Sequence, residues 1–233
     1  MAQTSKKQKV AIFDIDGTLF RSSLLVELVD ELVKQKLIKE SATTEYTRAY
    51  KKWHDRKGSY DDYIMAVVAV FNKHIKGVHY GDFMSAVKIV AALYRNRTYV
   101  YTRELAAKLK KKGYFLLAIS GSPKAVLDIF CKPYGFDKVY GAIYEIGPSD
   151  RFTGEMVGEH ILTNKANILQ RALQKETITL KGSVGVGDTE SDIAFLEMVD
   201  NPICFNPNKK LYKHAGRMKW EVVVERKDVI YFL

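Results

Sequence analysis

The chain has 233 residues, 47% of them apolar and 27% charged, a globular composition that excludes wholesale disorder. Lys and Arg total 37 against 27 Asp and Glu, a net charge of +10. That charge attracts anions, but no zinc-finger spacing, aromatic–basic RNA signature or basic tail accompanies it, so phosphorylated small molecules are expected before nucleic acid.

Two cysteines, Cys131 and Cys204, exclude a disulfide framework and point to a reducing compartment. The longest unbroken apolar run, Tyr63 to Phe71, is far short of the ~18 residues of a membrane span. A soluble cytoplasmic protein is expected.

Val10 to Phe13 is a short apolar run ending at Asp14, the pattern of a buried parallel strand. From Ser22 to about Asn96 the period becomes helical, with about four helices and no strand. Ser59-Tyr60-Asp61-Asp62 has the form of a capping box. Strands and helices then alternate. The pattern predicts a helix over Thr102–Lys112, a strand over Phe115–Ile119, and a helix capped by Ser122 with Pro123 first. It predicts a strand over Val139–Ile146 and a small antiparallel flap around Arg151–Glu155. A helix over Thr163–Lys175, a strand over Val184–Val186 and a helix over Thr189–Val199 follow. The chain closes with a strand at Ile203–Phe205, a helix opened by Asn206-Pro207 and an edge strand at Val222–Val224. Alternation of this kind implies a parallel sheet with helices on both faces, an α/β fold. The expected division is a core of 1–20 and 98–233 with an inserted helical domain over 21–97.

Three loops carry chemistry. Asp14-Ile15-Asp16-Gly17-Thr18 follows the first strand and sets two carboxylates close together, with Gly17 free to turn sharply. Ser120-Gly121-Ser122 follows the second strand, where hydroxyls and N–H groups can receive an anion; Ser122 is equally readable as an N-cap. Gly187-Asp188-Thr189-Glu190-Ser191-Asp192 follows a later strand, and Asp192 is either a site carboxylate or half of a capping box. Ligands of an open α/β sheet bind at the carboxyl ends of its strands, so Asp14, Asp16, Ser120 and Asp188 should share one crevice. Carboxylates gathered there repel one another. A hard divalent cation resolves this, and an all-oxygen ligand set favours Mg²⁺ over zinc.

Asp14-x-Asp16-Gly-Thr, Ser120, a later lysine and Gly187-Asp188-xxx-Asp192 together resemble the haloacid dehalogenase superfamily, phosphatase branch. The match runs from Val10 to about Pro207. The helical insert after the first motif, with Arg151-Phe152-Thr153-Gly154 and the Asn201-Pro202 to Asn206-Pro207 stretch, is similar to the phosphoserine-phosphatase-like subfamily. The resemblance implies a Rossmann-like parallel sheet with an all-helical cap.

It also implies roles. Asp14 would attack phosphorus, giving an aspartyl-phosphate, and Asp16 would act as general acid and then base. Asp14, Asp188 and the Asp16 backbone carbonyl would hold Mg²⁺, with Asp192 behind them. Ser120, the Gly121 N–H and a lysine would hold the phosphoryl oxygens; Lys165 fits the family order, with Lys124 as its rival. Arg21, Arg48, Trp53 and Arg56 of the cap are candidates for reading the leaving group. Three departures set this chain apart from phosphoserine phosphatases: Gly17 stands where they usually carry serine, Ser23 stands near their ammonium-reading glutamate, and their last motif differs from Thr189-Glu190-Ser191. The expectation is hydrolysis of a small phosphomonoester. Phosphotransfer to an acceptor other than water, or a non-catalytic anion or nucleic-acid binder, would use the same fold.

Overall fold

The structure is a computed structural model that describes residues 7–158 and 164–233. A seven-stranded sheet forms its centre, in the order β3-β2-β1-β6-β7-β8-β9, with β7 at Asn201–Phe205. β1 (Gln8–Phe13) lies in the middle, parallel to β2 (Phe115–Pro123) and β6 (Ile178–Gly187). Both faces of β1 are covered, which is why it reads as an unbroken apolar run. Val10 and Ile12 face Ile168 and Leu169 of α7 (Lys165–Lys175), Phe195 of α8 (Ile193–Leu196) and Leu211 of α9 (Lys209–Met218). Ala11 and Phe13 face Ala106 and Leu109 of α5 (Val100–Lys111). On that same face Ala118 meets Val126, Leu127 and Phe130 of α6 (Lys124–Cys131). Helices therefore cover both faces, as the alternation predicts.

Several boundaries differ from the sequence reading. β6 begins six residues before the expected Val184; its first half, with Thr179, Lys181 and Ser183 around a left-handed Gly182 (φ 73°), carries no apolar run. Val139–Ile146 divides into β3 (Lys138–Ala142) and β4 (Tyr144–Ile146). Ser122 does not cap α6. Pro123 holds the cap position, and the Ser122 hydroxyl instead accepts the Leu25 N–H at 3.1 Å. Thr189–Val199 forms a tight 3₁₀ turn at Glu190–Asp192 and only one α turn, α8. Asn208, not Asn206, caps α9, accepting the Leu211 N–H. β8 (Glu221–Arg226) is not an edge, because antiparallel β9 (Val229–Phe232) lies outside it. Thr163, the expected start of α7, lies outside the described residues; Asn164 caps the helix through the Ala166 N–H.

The insert holds four helices: α1 (Leu24–Lys34), α2 (Ser41–His54), α3 (Tyr60–Ile75) and α4 (Tyr80–Leu93). α3 opens on the expected reciprocal cap: the Ser59 hydroxyl accepts the Asp62 N–H at 3.0 Å and the Asp62 carboxylate accepts the Ser59 N–H. A Ser59→Ala change is expected to lower stability by about 1 kcal/mol, measured by urea unfolding.

The insert joins the core through one continuous apolar cluster in which Phe20, Leu24 and Leu28 meet Leu127 and Phe130. The Phe20 and Phe130 rings lie edge to face at 5.2 Å. The antiparallel hairpin of β4 and β5 (Phe152–Met156) packs on the insert. Tyr144 meets Phe71 at 5.0 Å, Phe152 meets Phe83 at 4.9 Å, and the Phe152 backbone bonds to Val78 and Gly77. Among the described residues no helix is long and apolar enough to cross a membrane.

Candidate active site

The loops that leave β1, β2 and β6 meet the first residue of α7 at the carboxyl edge of the sheet. Asp14 follows β1 directly, and its N–H bonds to the Val186 carbonyl at 2.9 Å, which fixes it beside the end of β6. Oxygens of Asp14, Asp188 and Asp192, all buried, lie within 4.8 Å of one another. Residues 174 apart in the chain thus share one point.

Lys165 joins them. Its Nζ lies 2.5 Å from Asp14 Oδ1 and 2.5 Å from Asp192 Oδ1. Burial opposes the charge on Lys165, but the two carboxylates outweigh it and hold the ammonium protonated, above its ordinary range. Lys124, the rival, pairs with Asp128 one helical turn along at 2.6 Å and stays outside the cluster.

Asp192 answers both sequence readings. Its Oδ2 accepts the Asp188 and Thr189 N–H groups at 2.9 Å each, closing the capping box, while Oδ1 meets Lys165. Asp188 Oδ1 accepts the Thr18 hydroxyl at 3.2 Å, and the Thr18 carbonyl accepts the Thr102 hydroxyl at 2.8 Å. Thr18, named in the first motif without a role of its own, and Thr102, not singled out by the sequence, support the same loop.

Asp16 faces elsewhere. One oxygen accepts the Leu24 N–H at 2.5 Å and the other accepts the Ser120 hydroxyl at 2.5 Å. It caps α1 in place of Ser23, whose side chain makes no cap bond. Ser120 Oγ also accepts the Ser122 N–H at 3.0 Å. In this arrangement the Ser120 hydroxyl is bonded to Asp16, and Gly121 has open space where a Cβ would stand.

Gly17 holds the first loop open. Its φ is +87°, and a Cβ there would lie 2.2 Å from Asp188 Oδ2. A Gly17→Ala chain is expected to lose about 2 kcal/mol from the left-handed backbone alone, read by thermal unfolding. The clash with Asp188 adds to that and should also weaken divalent-ion binding.

The electrostatics are those of crowded buried acids. Burial pushes Asp14 up to about 7, with the charges of Asp192 and Asp16 adding to it and Lys165 opposing. Burial also raises Asp188, reinforced by Asp14 and Asp192, and raises Asp16 against its Ser120 and Leu24 bonds. Asp14 Oδ2 is buried with no hydrogen-bond partner among the described residues. The oxygen-only donors of Asp14, Asp188 and Asp192, gathered within 4.8 Å with one ammonium facing them among the described residues, fit a hard divalent cation.

The sign of the pH dependence follows. Between about 4 and about 7 the folded, metal-free chain keeps a proton on Asp14 that the unfolded chain has released. Its stability therefore falls as pH rises through that window. Added Mg²⁺ should raise the melting temperature more at pH 8 than at pH 5 in differential scanning fluorimetry.

A cleft of about 1110 Å³ opens beside Gly17 and Asp188, between the α2–α3 turn and the loop before α9. Arg21, Trp53 and Arg56 line it; Arg48 is exposed on α2 and does not. Tyr60, the first residue of α3, lines it too. The sequence marks the Ser59 cap, but not that this cap directs the next residue into the crevice.

A family model described as haloacid dehalogenase-like hydrolase matches residues 11–197. The chain belongs to that family. It is 24% identical over 224 residues to the histidinol-phosphatase of Neisseria meningitidis, covering 93% of this chain and 98% of that one. It is 24% identical over 225 residues to the phosphoserine phosphatase of Methanocaldococcus jannaschii, covering 96% and 95%. A solved phospho-aspartyl intermediate analogue of phosphoserine phosphatase superposes with a TM-score of 0.63 at 22% identity, covering 96% of each chain. At that identity the likeness is one of fold.

Proposed function

We propose that this hydrolase is a Mg²⁺-dependent phosphatase that cleaves a small phosphomonoester through an aspartyl-phosphate on Asp14. The observation that carries the reading is the state of Asp14: Lys165 fixes Oδ1, while Oδ2 is buried without a partner among the described residues. One oxygen is anchored and the other is left for bond formation, as nucleophilic catalysis by a carboxylate requires.

In this reading Asp14 Oδ2 bonds to phosphorus as the leaving oxygen departs. Asp16 gives that oxygen its proton and later takes one from the water that hydrolyses the intermediate. Lys165, the Ser120 hydroxyl and the Gly121 N–H receive the phosphoryl oxygens. Mg²⁺ would be held by Asp14, Asp188 and the Asp16 carbonyl, with Asp192 behind them, and supplies neutralisation of charge during transfer. To act as acid Asp16 must leave the Leu24 N–H or the Ser120 hydroxyl. Since Leu24 begins α1, the acid and the position of the insert are linked. The helices within 21–97, with the β4–β5 hairpin on them, serve as the cap that closes the site. A cytoplasmic setting accords with Cys131 and Cys204, both free and buried.

The test is phosphate release from a panel of about a hundred phosphorylated metabolites, with Mg²⁺ or with EDTA. Turnover that requires Mg²⁺ is expected. Turnover undiminished by EDTA would overturn the role of the metal, and no release from any ester would overturn the reading itself.

A further inference from the structure

Resting on the phosphatase reading, we infer that the substrate's leaving group is a flat unsaturated ring bearing a second negative charge, held between Trp53 and Tyr60 of the insert and the guanidinium groups of Arg21 and Arg56. The cleft beside Asp188 is large for a three-carbon leaving group, and two of its features are specific.

The first is its aromatic wall. The Trp53 ring stacks on Tyr63 at 5.5 Å, with 8° between planes, and Tyr60 lies 5.2 Å from Trp53. Tyr63 is buried beneath, whereas Trp53 and Tyr60 stay part-exposed and line the cleft. Tyr50 and Tyr60 flank the indole at an angle, and its part-exposed remainder lines the cleft, where a planar ligand can lie against it.

The second is unneutralised positive charge. Arg21 lies over the Tyr99 ring at 5.4 Å, and among the described residues neither Arg21 nor Arg56 has a carboxylate within ion-pair reach. Arg97, on the same cleft, differs: Glu27 takes it at 2.8 Å. The acids at the cleft are largely engaged. Glu27 also accepts the Ser22 hydroxyl, Glu190 is held by Lys210 and Asn208, and Asp188 belongs to the catalytic cluster; Asp61 stands exposed at the rim. An ammonium group on the leaving group would meet uncompensated cations, whereas a carboxylate or a second phosphate would find guanidinium partners.

The test compares kcat/KM for 4-carboxyphenyl phosphate, phenyl phosphate and O-phosphoserine in the full chain with Mg²⁺. Preference for 4-carboxyphenyl phosphate over O-phosphoserine by at least about tenfold is expected. Trp53→Ala should lower the phenyl-to-phosphoserine ratio by about tenfold, and Arg21→Gln or Arg56→Gln should lower the carboxyphenyl-to-phenyl ratio comparably. Ratios within one variant cancel any uniform loss of folded protein.

Equal or better turnover of O-phosphoserine, or ratios unchanged in all three variants, would overturn the inference while leaving the phosphatase reading intact. If no ester is hydrolysed, calorimetric binding of 4-carboxyphenyl phosphate that weakens in Arg21→Gln still supports this site, and the phosphatase reading fails alone. Absence of binding would overturn both.

Discussion

Asp14→Asn is expected to fold like the parent chain and to lose at least about 10⁴-fold in kcat on an aryl phosphate, the scale on which removal of a covalent nucleophile acts. The amide keeps the shape of the side chain but offers no anionic oxygen to bond phosphorus. Its effect on stability makes the test clean. Burial and neighbouring carboxylates push Asp14 up to about 7 despite Lys165. At pH 8 the ionised side chain is therefore worse placed here than in water, and a neutral isostere relieves that. The melting temperature of Asp14→Asn in EDTA should equal or exceed that of the parent, while turnover vanishes. A variant that hydrolyses the ester at the parent rate would remove Asp14 from the chemistry, and with it the proposed function.

The rival in which the same fold only binds an anion makes the opposite forecast for that variant. Loss of one negative charge would strengthen anion binding in a merely electrostatic site. The buried cluster argues against that rival on physical grounds. Acids crowded so that burial raises Asp14, Asp16 and Asp188 oppose anion binding and cost stability. Such strain is kept where it serves a cation or a reaction.

What the sequence disclosed depended on how local the signal was. β1 was legible because both of its faces are buried, so Val10 to Phe13 carry no polar interruption. That Asp14 and Asp188 would meet was legible because each directly follows a strand end, and strand ends of a parallel sheet face one edge; Asp192, a turn further on, reads equally as a site carboxylate and as half of a capping box. Family order favours Lys165 over Lys124, but only the folded chain brings one of them to Asp14: Lys165 reaches it, and Lys124 pairs with Asp128. Ser122 was misread for a similar reason. A serine before proline has the local form of an N-cap, but its partner, the Leu25 N–H, is 97 residues away. The hairpin of β4 and β5 follows a core strand in sequence yet packs on α3 through Phe71 and Tyr144, a long-range aromatic contact without periodicity. β9 escaped notice because Val229–Phe232 is largely exposed and only pairs along one side.

Lys165→Met should be the most damaging single change to stability, by about 3–5 kcal/mol at pH 8 in EDTA, the usual penalty for stripping the partner from a buried charge. Lys165 Nζ is the only cation within ion-pair reach of Asp14 and Asp192 among the described residues, and its side chain is only 13% exposed. Removing it leaves three neighbouring buried carboxyl groups with no counter-charge. Protonation of Asp14 and Asp188, which Lys165 opposes in the parent, becomes more favourable, so the folded variant holds protons to higher pH than the unfolded chain. Its stability is then retained near pH 5 and lost as pH rises towards 8, more steeply than in the parent. Urea unfolding at the two pH values reads this directly. Mg²⁺ should recover part of the loss at pH 8, because a divalent ion supplies the charge the ammonium gave, but not the activity, since the group that steadies Asp14 Oδ1 is gone. Lys165→Arg separates charge from shape: the cation returns, but a planar fork replaces a point donor that sits 2.5 Å from two carboxylates at once. It should therefore recover stability better than turnover. Equal melting of Lys165→Met and parent at pH 8 in EDTA would mean that the carboxylates are already neutral in the folded chain. The electrostatic argument for a bound cation would then lose its basis.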